Sequence, residues 1–319
     1  MANGLERHLL HPARGIHAMR AAALALLLAS ALNSGCSVRN LAVNSIGDAL
    51  AASGSGFGSD DDPQLIAAAA PFSLKLIESV LAESPGHQGL LLAAAQGFTQ
   101  YAYAFVHLEA DPLEHRDLAA ANALRERARR LYLRARDYGM RGLEAKRPGF
   151  SAALRADPAL AMRRLETSDV ALVYWTAASW AAAISLSKDR PDVIADLGLM
   201  EALMERALQL DESYDHGAIH VFFISYAASR PHAGTSPHAR AREHFERAVA
   251  LSQEKQAGPY VALAEAVCIA SQDRREFERL LRQALAVDIE ARPQWKLANL
   301  VVQRRARWLL AQADQFFSE

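Results

Sequence analysis

The chain has 319 residues, of which 51% are hydrophobic and 22% charged, and its formal net charge is −1. That balance fits a soluble helical protein with a substantial core. It supplies no polybasic field for nucleic acid, and two cysteines are too few for a disulfide framework.

The first 35 residues read as a targeting segment. Arg14 and Arg20 supply positive charge, and Ala21 to Leu32 is an uncharged apolar run of twelve residues. Such a run is too short to span a bilayer and has the length of a signal-peptide core. Met19 offers an alternative start. Ser34 and Gly35 then precede Cys36, an order that resembles the lipobox of bacterial lipoproteins. It departs from that pattern by placing Asn33, not leucine, three residues before the cysteine. Cys36 is therefore expected to carry a lipid and to become the new N-terminus. Removal of residues 1–35 leaves a net charge of −3. The second thiol, Cys268, lies in the apolar stretch "VALAEAVCIA" and reads as a buried core residue.

Residues 36–62 read as a short arm followed by a loop rich in Gly, Ser and Asp. Asp62 and Pro63 mark a helix start, cap then first-turn proline. The three successive aspartates lack calcium-loop spacing. Residues 63–319 are expected to form one helical domain. Two kinds of helix alternate there. Charged amphipathic helices are expected at Phe72–Glu83, Ala119–Glu144, Leu199–Leu210, His238–Ser252 and Arg275–Val287. Nearly uncharged ones are expected at Gln88–Leu108, Val170–Ser187, Gly217–Ser229 and Tyr260–Gln272. The first kind has one wet face; the second is buried on most sides or lines an enclosed space. The two longest uncharged stretches carry too many polar groups to suit lipid.

A repeat runs through the charged helices. "AREHFERAVAL" spaces Ala241, Phe245, Ala248 and Leu251 as "MEALMERALQL" spaces Met200, Met204, Ala207 and Leu210. "FERLLRQALAV" follows with Phe277, Leu281, Ala284 and Val287, and Ala128, Tyr132, Ala135 and Tyr138 give a fainter copy. Small residues at these places resemble the second helix of a tetratricopeptide repeat. The uneven offsets between copies point to an all-α, compact and irregular αα-solenoid of degenerate tetratricopeptide-like hairpins.

The segments "NLAVNSIGDAL", "GFTQYAYAFV", "LYLRARDYGMRGLE", "YWTAASWAAAISLSKD", "GAIHVFFISY", "HFERAVALS", "PYVALAEAV" and "LANLVVQRRARWLL" occur in this order from about Asn40 to Phe317. Together they resemble the T-component family of tripartite ATP-independent periplasmic (TRAP) transporters. The resemblance implies a periplasmic lipoprotein, anchored to the inner or outer membrane. Its implied partner is the substrate-binding P component, and it implies a homo-oligomer. It also implies assistance to a small hydrophobic or organic-acid ligand. It carries no catalytic residues and no cofactor.

The residues themselves offer little chemistry. His216 and His220 stand four apart, the spacing of two zinc ligands, but no third ligand or catalytic glutamate accompanies them. A metal-dependent hydrolase built on that pair is the weakest reading, and no metal site is expected. No nucleophile elbow or phosphate-cradling loop is present in the sequence. The uncharged helices are more informative. Gly97, Tyr101 and Ala104, with Gln100 beside them, share one face, and Trp175, Ser179 and Ala182 share another. Glu265 is the lone charge between Gln256 and Gln272. One expectation is a packed core with Glu265 paired or partly exposed. The sharper one is an internal ligand cavity lined by Gln100, Tyr101, Trp175, Ser179, His220 and Glu265. The alternative to a transport accessory is a general envelope scaffold lipoprotein that carries no ligand.

Overall fold

The computed structural model describes residues 45, 47–51, 55–188, 190–230 and 236–317. Cys36, the targeting segment and most of the arm lie outside them. The residues from Gly47 onward form one compact unit, and no strand occurs among the described residues.

The first long helix, α1 (Pro63–Glu83), begins where Asp62 accepts hydrogen bonds from the backbone N–H of Gln64 (3.0 Å) and Leu65 (2.9 Å). The aspartate run therefore caps. The helix starts nine residues ahead of the expected Phe72, with Pro71 inside it. The proline forfeits one backbone bond, but Ile66, Ala70, Leu74, Ile77 and Leu81 form an unbroken buried face that carries the helix through. Upstream, the Gly/Ser-rich stretch is not all loop: Ser55–Gly58 forms one helical turn.

Helix α2 (Gln88–Ala102) runs into a wider π-type turn, Tyr103–His107. Helix α3 (Leu118–Lys146) is capped by Asp117. Two short helices absent from the sequence reading follow, α4 (Phe150–Ala156) and α5 (Pro158–Arg163). Then come α6 (Val170–Ser185), α7 (Leu197–Leu210), α8 (Ala218–Ala228) and α9 (Pro237–Ser252). Helix α10 (Gly258–Leu263) runs into a second π turn, Ala264–Cys268. The chain finishes with α11 (Arg274–Ala286) and α12 (Lys296–Ala311).

Helices adjacent in sequence pack against each other, α1 on α2, α2 on α3, α6 on α7, α8 on α9 and α11 on α12. The repeat positions supply the packed faces: Met200, Met204, Ala207, Ala241, Ala248, Phe277, Leu281, Ala284, Ala128, Tyr132 and Ala135 are all buried. Alanine permits close approach, and glycine permits more. A Cβ on Gly142 of α3 would lie 2.6 Å from Leu172 Cδ2 of α6, and one on Gly139 would overlap the Thr176 hydroxyl. Cys268 is fully buried, with its thiol pushed up to about 12 by burial.

The path of helices closes on itself. Helix α12 packs against α1, and Arg304 Nη2 donates to the carbonyl of Ala104 at 3.0 Å. Arg304 also pairs with Glu109 at 2.7 Å.

Candidate functional site

The two π turns meet across this closure. A π turn inserts a residue into the helical register and often marks a functional position. The first turn presents Tyr103 and the second presents Glu265. Between them stands Arg305 of α12. Its Nε and Nη2 donate to Glu265 Oε1 at 3.0 and 2.7 Å. Its Nη1 lies 2.8 Å from Asp111 Oδ2, and its guanidinium lies over the Trp308 ring at 4.3 Å. Asp111 in turn accepts from Arg125 at 3.1 Å. Beside this chain of charges His107 Nδ1 contacts the Tyr132 hydroxyl at 3.2 Å.

Tyr103 and Glu265 are both partly exposed and both shifted upward in pKa. Tyr103 keeps 42% of its surface accessible, yet burial pushes its phenol up to about 12. Glu265 keeps 30% of its side chain accessible, yet burial raises its carboxyl pKa against the opposing pull of Arg305. Tyr103 is thus a partly exposed ring flanked by the charges of Glu265, Arg305 and Asp111. Tyr103 therefore stays protonated at neutral pH and offers an aromatic wall with a hydrogen-bond donor. Arg305 is already committed to two carboxylates.

A second enclosed polar cluster lies at the start of α8. The Tyr174 ring packs on Trp175 (5.0 Å) and on Tyr214 (5.3 Å). Burial raises both phenols, Tyr214 to about 12, and raises the Asp215 carboxyl. The backbone here is left-handed for three residues, Asp215 (φ 42°), His216 (φ 54°) and Gly217 (φ 100°). Two of these are not glycine, so the segment stores strain, a common property of functional turns. Gly217 also needs its missing side chain: a Cβ would lie 3.2 Å from the Ala248 backbone.

The six residues expected to share a cavity have different partners. Gln100 is exposed. Tyr101 accepts from Arg127 Nη2 at 3.2 Å and packs near Phe105. Trp175 belongs to the cluster around Tyr174. Ser179 is fully buried and donates within its own helix to the Thr176 carbonyl at 2.9 Å. His220 Nδ1 lies 2.9 Å from His244 Nδ1. Glu265 pairs with Arg305. Among the described residues, no hydrogen bond or ring contact joins any two of the six. His216 does not join His220 either; it packs on Trp295 at 4.8 Å. The zinc spacing is thus broken by the turn that separates the two histidines.

Sequence reasoning overlooked Tyr103, Tyr174, Asp215 and Arg305. A signal existed for the last. Val301, Arg305 and Leu309 step by four along one helix face, and the outer two are buried. A charge between two buried apolar residues calls for a buried partner.

A family model described as TRAP transporter T-component matches residues 59–317. A protein of Treponema pallidum (strain Nichols), named only as uncharacterized, is 31% identical over 307 residues, covering 90% of this chain and 94% of that protein.

Proposed function

Because the chain belongs to the TRAP transporter T-component family, we propose that it is a lipoprotein which holds the substrate-binding component of a TRAP system and receives that system's ligand. Residues 1–35 act as the signal peptide, Cys36 carries the anchor, residues 36–62 form the arm, and residues 63–319 form the working domain on the periplasmic side. The family is one of transporter accessory components and not of enzymes, and the patch around Tyr103 fits that role. Its groups are aromatic walls, one donor phenol and a paired carboxylate, with no activated nucleophile among them.

The single observation that carries the ligand reading is Tyr103, a large aromatic residue left 42% exposed on a π turn near the Glu265–Arg305 pair. An apolar or amphipathic ligand would lie on its ring, and a ligand carboxylate would accept from its hydroxyl. Glu265 does not repel such a ligand strongly, because Arg305 compensates it. Gln100, Tyr101, Trp175, Ser179 and His220 then act at a distance, from the helices around that patch.

The test is purification of the protein with its bound partners from the native host. Mass spectrometry should find a small organic acid or apolar molecule in the wild type, and should find it depleted in Tyr103→Ala. Capture of the substrate-binding component should be equal in both. Loss of neither would leave the protein as a scaffold alone. For the anchor, Cys36→Ser should move the protein from the membrane to the soluble periplasmic fraction. An unchanged membrane fraction, with no acyl label on the wild type, would overturn the lipoprotein reading.

A further inference from the structure

Helix α3 carries eight basic and three acidic side chains, a net charge of +5, in a chain whose total is −1. Four of the basic residues, Arg127, Arg130, Arg134 and Arg141, fall on one side of the helix, and such a row attracts an anionic partner. Along the solvent side of α3, Arg130, Arg134 and Arg141 line a surface groove of about 470 Å³ with Tyr138 and Asp137. The acidic neighbours are already engaged. Asp137 accepts from Arg136 at 2.9 and 2.7 Å, and Glu126 accepts from Arg129 at 2.7 Å through both oxygens. The groove arginines are held in place by aromatic rings. Arg134 lies 5.2 Å from the Phe98 centroid and Arg141 lies 5.1 Å from that of Tyr138, and the two rings are stacked at 5.9 Å.

Helix α1 lies beside α3. Glu78 accepts from the Tyr138 hydroxyl at 2.7 Å and pairs with Arg134 at 2.8 Å. On its own solvent side α1 exposes Leu65 (57%), Phe72 (73%) and Leu76 (41%). Steps of seven and four put these three on one side of the helix. Among the described residues, α1 is the helix long and apolar enough to cross a bilayer by length and composition, and only 28% of its most apolar window is buried.

We propose that this face of α1 and α3 seats the protein on an anionic phospholipid surface. The apolar row enters the headgroup boundary and the arginines meet lipid phosphates, as on interfacial helices. Charge complementarity selects the occupant. Arg130 and Arg134 keep 63% and 46% of their side chains accessible beside their carboxylate partners, and phosphate accepts the guanidinium fork in two-point fashion. Helix α1 is also the first long helix after the apolar segment Ala21–Leu32 in sequence. The inference stands apart from the ligand reading at Tyr103, and it holds whether or not Cys36 is acylated. Its consequence is orientation: the domain would lie on the membrane through one face and not swing freely on its arm.

The test uses the protein extracted from host membranes, with Phe72→Cys carrying an environment-sensitive fluorophore. Labelling of the otherwise unchanged chain sets the background, and Cys268 is buried. The protein is mixed with vesicles of phosphatidylcholine alone, or of phosphatidylcholine with phosphatidylglycerol, and floated. The expected result is a blue shift on the anionic vesicles only. Salt should reverse it and Arg130→Gln with Arg141→Gln should abolish it, since each arginine near such a surface changes partitioning about fivefold. Protein that floats with both vesicle types and shows no shift, or an equal shift on both, overturns the proposal. A shift without vesicles that grows with protein concentration overturns it too, because the face then meets a second copy. Phe72→Ser, at an exposed position, gives the same comparison by flotation alone in a Cys36→Ser background if the labelled chain misfolds.

Discussion

Replacement of Arg305 by Met should destabilise the protein, and more at neutral than at acidic pH. Arg305 is 12% accessible and holds Glu265 and Asp111 together. Breaking a fully buried ion pair costs about 3–5 kcal/mol because a charge is left uncompensated. Glu265 and Asp111 keep 30% and 25% of their side chains accessible, so partial hydration lowers the expectation to about 2–3 kcal/mol. The pH dependence follows from Glu265. Its folded pKa is already raised, by burial first, although Arg305 pulls it down; without the arginine it rises further. Between the unfolded and folded pKa values the folded state binds more protons. Stability therefore falls as pH rises through that window and is regained on acidification. Urea unfolding near pH 7 and near pH 5 should show the difference between wild type and variant shrinking at the lower pH by about 1.4 kcal/mol for each unit of added shift. Adding Glu265→Gln to Arg305→Met should recover part of the loss. An equal loss at both pH values, or no recovery in the double variant, would refute the claim that Glu265 depends on Arg305.

Three further outcomes are expected. Gly139→Ala should cost about 1–3 kcal/mol by forcing α3 from α6, and Thr176→Ala should restore part of it, since the Thr176 hydroxyl is the nearest obstacle; thermal melts of the three proteins decide this, and no rescue would place the clash elsewhere. His220 and His244 are both held below the ordinary histidine value by burial, His244 at about 4. The unfolded chain thus binds more protons below about pH 6.5, and stability should fall as pH drops from there toward the folded value. His244→Phe should flatten that part of the stability–pH curve, whereas an unchanged slope would assign it to other groups. Phe277→Ala should cost about 3–5 kcal/mol, because the ring is fully buried among Phe316 and Phe317; a loss under about 1 kcal/mol in urea unfolding would mean that the α11 core relaxes around the gap.

The helices with a strong period were legible. Ala128, Tyr132 and Ala135 of α3, and Ala241 and Ala248 of α9, stand buried where their spacing puts them, because one wet face forces one dry face. Glu265 was legible as an anomaly, a lone carboxylate in an apolar run. Its partner was not, since Arg305 lies 40 residues away and no local pattern links the two. The π turns at Tyr103–His107 and Ala264–Cys268 were invisible for a different reason. They add one residue to a turn without changing composition, so the stretches read as plain helix while the faces downstream were rotated. Tyr101, upstream of the first turn, meets Arg127 instead of a cavity, and Tyr103 begins that turn. The short helices α4 and α5 depend on Asp157 capping and on contacts with neighbours more than on a period of their own.

The bond from Arg304 to the Ala104 carbonyl joins residues 200 positions apart, and it bears on kinetics. An open stack of helical pairs can begin to fold anywhere and tolerates loss of an end unit. Here the last helix completes the first, so the final contacts must wait for a long loop to close, and closure entropy grows as the logarithm of that length. During synthesis, α1 and the turn at Tyr103 emerge well before α12 exists. Until then their closing surface is exposed, and a chain crossing a membrane in extended form would fold only once its C-terminus has arrived. Cutting the chain after Ala286 should therefore not yield a shorter working protein but one that unfolds from both ends.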